Sequence, residues 1–299
     1  AERTELAKLL AAKATDTAVQ QPARIWMVRQ LEYIGAGESV AALGALLDGS
    51  DAESKECARR ALEKNPDWAA GDRLRAALQR GGEVNWKIGL IQSLGERRDS
   101  RAVELLSGEL SSKETALVAA SALGKIADAK AVKALWEAYD GGGAGAADGL
   151  VMAGNRLLAA GGRNPLAQDV FKRLYLADAR QWDATELGAK HPLAPVQVRA
   201  AALIGWAKAD PDTARPFIEL ALRLKQPELQ FAAVSAATAG FDKAKVSAVL
   251  TPLLPRLSPA AKTYVLRVLD ASAEKEIIAA ADAPDESVRV AALDRLGQV

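Results

Sequence analysis

The sequence predicts an all-α protein made of stacked helical hairpins. Hydrophobic residues fill 49% of the 299 positions, so the chain can bury a substantial core. Aromatic residues contribute only 5% while alanine recurs throughout, a composition that favours closely packed helices over β-sheets. One short frame also recurs along most of the chain, at roughly the spacing of two short helices and two turns. Together these features indicate a repeat protein.

The repeated frame reads apolar, polar, any residue, Ala, Ala, apolar, any residue, Ala, Leu, Gly, three further residues, Asp. Successive copies begin roughly 30 residues apart, with one longer interval between Leu150 and Val198. A single copy is a weak signal, but about nine copies in register are a strong one. The clearest copies begin at Trp86, Thr115 and Leu229, and those from Val198 and Val288 fit the same frame. Weaker copies begin at Trp26, Ser54, Leu150 and Ala261.

The frame places its apolar positions on one stripe of a helix. Positions one, five or six, and nine recur with helical spacing, so they face the same side. Position five is mostly small and lets the next helix approach closely, while the larger ninth residue fills the layer between repeats. We therefore expect the interior ninth residues to be buried. They are Ile34, Leu62, Leu94, Leu123, Leu158, Trp206, Ala237, Leu269 and Leu296.

An aspartate closes several copies of the frame. Asp67, Asp99, Asp128 and Asp242 occupy the fourteenth position. A short carboxylate there accepts hydrogen bonds from the free amides that open a helix. The aspartates predict that a second helix follows, so each repeat is a helical hairpin with two faces to bury, which a stack of hairpins can bury.

The frame resembles the short HEAT repeats of bacterial proteins and the phycobilin-lyase-like repeat group, from about Arg24 to Val299. The resemblance implies a right-handed α-solenoid, or superhelix, of about eight to nine hairpins, which would form a single domain over residues 1–299. It implies little about function, because repeat folds serve many unrelated roles.

Three segments depart from the regular repeat. Residues 1–22 are expected to form an N-terminal capping helix or half repeat, with Leu6, Leu9, Leu10 and Ala14 on the buried side of its helix. Residues 178–195 are expected to form an irregular insertion within the long interval. The last repeat is incomplete at residue 299, which we interpret as a fragment or as an end covered by a partner.

The composition argues against several kinds of chemistry. Lys and Arg number 39 against 38 Asp and Glu, so no overall positive field would gather nucleic acid. Cys57 and His191 are the only residues of their types. Cys57 reads as a core filler and His191 as an exposed loop residue. HEAT-like hydroxylases hold iron with paired His-Glu motifs that this chain lacks. We therefore predict no catalytic residue, metal or cofactor, and no membrane-spanning segment.

One glycine run and two arginine pairs are each predicted to have a structural role. The run from Gly141 to Gly145 lacks the Lys-Ser or Lys-Thr ending of a phosphate loop, so it predicts a turn between helices. The basic pairs Arg59-Arg60 and Arg97-Arg98 have acidic neighbours and are expected on solvated faces.

Six tryptophans offer the best candidates for a contact surface. Trp26 and Trp86 share the first position of two copies, which indicates repeated packing or an exposed stripe. The other candidates lie in second helices, where Trp136 is followed by polar and aromatic side chains, although packing of this tryptophan in the core or at its rim is the stronger alternative. The candidate contact residues are Trp68, Trp136, Glu137, Tyr139 and Asp140.

The predicted function is a non-catalytic scaffold that presents its second helices to a protein partner or to another domain of the same polypeptide. An alternative is an accessory domain of a larger exported bacterial enzyme, acting on sugars or in oxidation and reduction. A minor alternative is a HEAT-like DNA glycosylase. A start at Ala1 rather than Met leaves the compartment open between cytoplasmic and periplasmic or exported, and the sequence predicts no particular small-molecule ligand.

Overall fold

The computed structural model describes residues 2–161, 164–176 and 194–298, and all regular elements in these ranges are helices. The all-α prediction is therefore confirmed. The chain divides into two compact units, Ala1–Ala153 and Gly154–Val299. None of the helices in the described ranges is long and apolar enough to cross a membrane.

The first unit contains nine helices and most of a tenth among its described residues. The tenth helix, α10, crosses the boundary between the units. The helices are α1 (Glu2–Thr15), α2 (Gln21–Ile34), α3 (Val40–Leu47), α4 (Ala52–Lys64), α5 (Trp68–Arg80), α6 (Val84–Glu96), α7 (Val103–Gly108), α8 (Ala116–Ile126), α9 (Ala129–Asp140) and α10 (Ala146–Ala159).

Helices of the first unit pack as two rows, as a stack of hairpins requires. The first four copies of the frame fall on α2, α4, α6 and α8, and each of these helices packs against the next. In the other row α1 packs on α3, α3 on α5, and α7 on α9. The unit is therefore a stack of the α-solenoid type, and α1 occupies a second-helix place in it.

The ninth position of the frame fills the interior of this stack. Leu62, Leu94 and Leu123 are completely buried, whereas Ile34 is half-buried. The glycine that follows the ninth residue is explained by a different contact. A Cβ on Gly95 would lie 2.8 Å from Ala122 in the next first helix, so glycine allows α6 and α8 to approach. The Leu-Gly pair of the frame thus combines a filled layer with a close helix contact.

The four aspartates act as the predicted caps. Asp67, Asp99, Asp128 and Asp242 each accept a hydrogen bond from a backbone amide two or three residues further on. Asp67, Asp128 and Asp242 cap α-helices, whereas Asp99 caps a 3₁₀ turn that leads into α7. The helix caps predicted from the sequence are therefore present in the structure.

The N-terminal helix buries a different face from the one expected. Leu10 and Ala14 are buried as predicted, but Leu6 and Leu9 are exposed by 50% and 58%. Ala7 and Ala11 complete the buried face in their place. The prediction was wrong because leucine was preferred to alanine as the core residue, although small side chains set the close approach of helices here.

Glycines shape the turn between α9 and α10. Gly142 and Gly145 have φ values of +75° and +74°, a region that side-chain-bearing residues rarely adopt. The predicted turn is confirmed.

The second unit continues the alternation in its described residues. Its first helices α12, α14, α16 and α18 carry the copies that begin at Val198, Leu229, Ala261 and Val288, and each packs on the next. The predicted insertion at 178–195 and His191 fall almost entirely outside the described residues. The helices are α11 (Pro165–Leu176), α12 (Val196–Ala209), α13 (Pro211–Ala221), α14 (Pro227–Gly240), α15 (Lys243–Leu250), α16 (Pro259–Leu266), α17 (Glu274–Ala281) and α18 (Glu286–Leu296).

Aromatic residues fill the start of the second unit. Trp206, at the ninth position of its copy, lies 4.8 Å from Phe217 and 6.2 Å from Tyr175 between ring centroids. A Cβ on Gly205 would lie 2.4 Å from the ring of Phe171, so the packing of this layer requires glycine at position 205. Farther along, Leu269 is fully buried, as expected of a ninth residue.

Candidate partner-contact site

The four candidate residues of α9 do not form one exposed surface. Trp136 is buried, with 7% of its surface exposed, and it packs edge-on against Tyr139 with ring centroids 5.6 Å apart. Glu137 and Asp140 are exposed and Tyr139 is half-buried. The indole therefore contributes to the core, which was the packing alternative, and only the polar neighbours offer contact surface.

Trp68 occupies a different place, at the first position of α5 and two hairpins before α9. Its side chain is 67% exposed. The Arg101 guanidinium lies over the indole, 5.2 Å from the ring centroid, and Arg101 Nη2 donates a hydrogen bond to the Trp68 carbonyl oxygen at 3.2 Å. Trp68 follows the α4–α5 turn, and Arg101 lies in the 3₁₀ turn between α6 and α7. Neighbouring turns of the stack thus bring the indole and guanidinium together.

Two carboxylates hold Arg101 and its neighbours in place. Asp72 forms an ion pair with Arg101 at 3.5 Å and also binds Arg75. Asp99, whose side chain is 9% exposed, binds the other side of the Arg75 guanidinium. Arg75 therefore bridges a residue of α5 and the cap of the next hairpin, so the exposed indole rests on an ion-pair network.

Arg97 fixes the turn beneath Trp68. Its guanidinium donates to the carbonyl oxygens of Leu62 and Asp67 at 2.7 Å each, and also to that of Asn65. Burial lowers the pKa of Arg97 below its ordinary value, and the positive charges of Arg75 and Arg101 lower it further, although Asp99 and Asp67 act in the opposite direction. Arg97 thus joins α6 to the end of α4 in the preceding hairpin.

Arg98 stands between Arg97 and Asp99 in the chain and is the available positive charge next to this site in sequence. It has a φ of +53° and is exposed. Its side chain makes no hydrogen bond or ion pair with the described residues, whereas Asp72 and Asp99 are already engaged. We call Trp68, Asp72, Arg75, Arg97, Arg98, Asp99 and Arg101 the Trp68–arginine cluster.

The expectation that the basic pairs lie on solvated faces was wrong for two arginines. Arg97 is half-buried, as described above, and Arg59 is only 8% exposed. Arg59 forms ion pairs with Glu56 and Glu63 and donates to the Gly89 carbonyl oxygen at 3.1 Å. Burial opposes the charged form of Arg59, but these glutamates raise its pKa above its ordinary value. Sequence neighbours alone did not show that both guanidinium groups reach into an adjacent repeat.

A second group of exposed aromatic residues lies on α2. Trp26 is 57% and Tyr33 is 71% exposed, whereas Trp86, which shares the frame position of Trp26, is half-buried. A groove of about 470 Å³ runs between α2 and α4 beside Tyr33, with Cys57 in its lining. Cys57 itself is 7% exposed, as expected of a core filler. Exposure of Trp26 was one of two alternatives drawn from the sequence, but Trp86 does not extend it into an exposed stripe. Tyr33 was missed because tyrosine in a helical pattern equally indicates the core.

The α2–α4 groove neutralises its own charges. Arg29 pairs with Glu53 at 3.6 Å, and Glu32 pairs with Arg60 at 3.7 Å. Neither in this groove nor elsewhere in the described ranges is a group of three or more His, Cys, Asp or Glu arranged to hold a metal ion. Of the exposed aromatic sites in the first unit, the Trp68–arginine cluster has an indole held by a guanidinium and, next to Arg97 in the chain, an exposed cation.

Comparisons with known proteins add little detail. No protein-family model matches this chain, and no curated protein matches it significantly. Among solved structures, human deoxyhypusine hydroxylase in complex with glycerol is 16% identical, with a TM-score of 0.38 over 99% of this chain and 96% of the other. Importin beta, crystallised in an ammonium sulfate condition, is 14% identical, with a TM-score of 0.47 over 99% of this chain and 44% of the other. These likenesses are too distant to assign any residue a role.

Proposed function

We propose that this chain is a non-catalytic protein-binding module and that the Trp68–arginine cluster is its contact site. The observation that supports this proposal is the exposure of 67% of the Trp68 side chain on a base of bound arginines and aspartates. A fixed indole loses little conformational entropy on binding, and Trp and Arg are the residues that most often dominate interface energies. The partner is a separate protein or another domain of the same polypeptide.

The chemistry of the cluster favours an acidic, partly apolar segment. The free indole surface binds an apolar or aromatic side chain, and Arg98 binds a carboxylate beside it. A basic segment would find the carboxylates of Asp72 and Asp99 already paired with arginine. This surface lies at the turns between first and second helices, so it includes the start of a second helix but not the α9 residues first considered.

Peptide selection on the intact chain tests this proposal. We expect peptides selected from a random library to carry Asp or Glu next to an apolar residue. Trp68→Ala should weaken their binding by about tenfold or more, because loss of a central aromatic contact costs about 2 kcal/mol or more. Arg98→Gln should weaken it by about threefold to tenfold and reduce the preference for acidic residues.

Trp26→Ala is the matched control, because it removes an equally large exposed indole from α2. It should leave peptide binding unchanged. The proposal fails if Trp26→Ala and Trp68→Ala lose binding equally, or if neither does. It also fails if the chain selects no peptide and instead binds duplex DNA in a manner that needs Trp68.

A further inference from the structure

A pocket of about 460 Å³ lies in the second unit and is open to solvent, since Pro252, Pro255 and Ala279 of its lining are exposed. It forms where the 3₁₀ turn Thr251–Arg256 meets α16 and α17. Pro252 and Pro255 lack amide donors, so this segment tightens into a 3₁₀ turn instead of extending α15. On the opposite side α17 contributes Glu276, and α17 and the turn after it present three small side chains. These are Ala279, Ala280 and Ala283.

The lining of this cavity is mainly apolar. Leu254 and Leu266 are almost or fully buried in its wall, and Val288 of α18 closes one side. The volume falls within the range of about 300 to 1,000 Å³ that is typical of small-ligand pockets. Such a site gains affinity by covering an apolar group of matching size.

Three polar residues distinguish this cavity from a packing defect. Lys262 is half-buried, and its ammonium group makes no hydrogen bond or ion pair with the described residues. Thr251 Oγ1 is buried without a hydrogen-bond partner there. Glu276 also lines the cavity, but it is exposed, so water solvates its charge. Lys262 is therefore the cation of this lining that has no partner among the described residues, and Thr251 Oγ1 is a buried polar atom that also has none there.

We propose that this cavity binds a small apolar monocarboxylate, with the chemistry of a short- to medium-chain fatty acid. The carboxylate pairs with Lys262, and the hydrocarbon tail lies against Leu254, Leu266 and the alanines of α17. A neutral ligand would leave the ammonium group unpaired, and a cation would repel it. This proposal is independent of the protein-binding function.

Titration of the intact chain with octanoate, by calorimetry or NMR, tests the proposal. We expect saturable binding at millimolar or lower concentration. Octanol and octylammonium should bind at least about tenfold more weakly, since neither forms the charge-assisted hydrogen bond to Lys262. Glu276→Gln should leave octanoate binding unchanged or strengthen it, whereas weaker binding would contradict a monocarboxylate and indicate a zwitterion.

Two variants address the two halves of the site. Lys262→Met keeps the length of the side chain and removes its charge, and it should reduce octanoate affinity at least about tenfold. Ala280→Leu fills the cavity and should abolish binding. Lys243→Met, on the exposed surface of α15, is the matched control and should bind normally. Absence of saturable binding, or equal binding by Lys262→Met and Lys243→Met, would overturn the proposal.

Discussion

Arg97 provides a sharp test of how neighbouring hairpins are joined. Its guanidinium donates to four carbonyl oxygens at the end of α4 and in the α4–α5 turn. Hydrogen bonds that involve a charged group each contribute about 1.5 to 3 kcal/mol, but desolvation of a half-buried cation offsets part of this gain. We therefore expect Arg97→Met to lower the free energy of unfolding by about 2 to 4 kcal/mol.

Urea denaturation followed by circular dichroism measures this change, read from the transition of the first unit. Arg98→Met is the control, since the adjacent side chain is exposed and makes no ion pair with the described residues, and it should cost less than about 0.5 kcal/mol. Arg97→Lys should remain destabilised, because an ammonium group cannot reproduce the planar fork of donors. Equal effects at positions 97 and 98 would refute the proposed anchoring.

Two further predictions follow from individual contacts. Burial alone would raise the pKa of Glu109, but hydrogen bonds from Lys87 and Thr115 hold it below its ordinary value of 4.5. This lowered pKa contributes stability above pH 4.5 that is lost as the pH falls through the folded-state value. Glu109→Gln should therefore lower the free energy of unfolding by about 1 kcal/mol at neutral pH. Denaturation at decreasing pH should show that the difference in stability between the wild type and the variant disappears, whereas a constant difference would contradict the assignment. In the second unit, Gly205→Ala should cost about 1 to 3 kcal/mol by crowding Phe171, and Phe171→Leu should recover part of that loss in a double-mutant cycle, whereas additive losses would exclude the contact.

The sequence predicted the parts of the fold that follow from local periodicity. Burial of Leu94 and Leu123 follows from helical spacing, and the cap at Asp128 follows from the short reach of its carboxylate. These features depend on residues close together in the chain. The repeat then predicts how the hairpins stack, since each copy adds the same hairpin.

Prediction of the candidate site was less complete because it depends on contacts between repeats. Trp68 and Trp136 both lie in second helices, yet one indole is exposed and the other buried. Helical spacing does not show which side of a second helix the next hairpin covers. The approach of Arg101 to Trp68 likewise needs the relative position of two turns, so no pattern in either segment predicts it.

Leu123 and Leu117 test the stacked-hairpin fold most directly, because both lie on α8 and only Leu123 faces a neighbouring layer. Leu123 is fully buried and Leu117 is 65% exposed. Chemical denaturation should show that Leu123→Ala costs about 2 to 5 kcal/mol, whereas Leu117→Ala costs less than about 0.5 kcal/mol. Equal losses at the two positions would contradict a fold in which adjacent hairpins share a continuous interior.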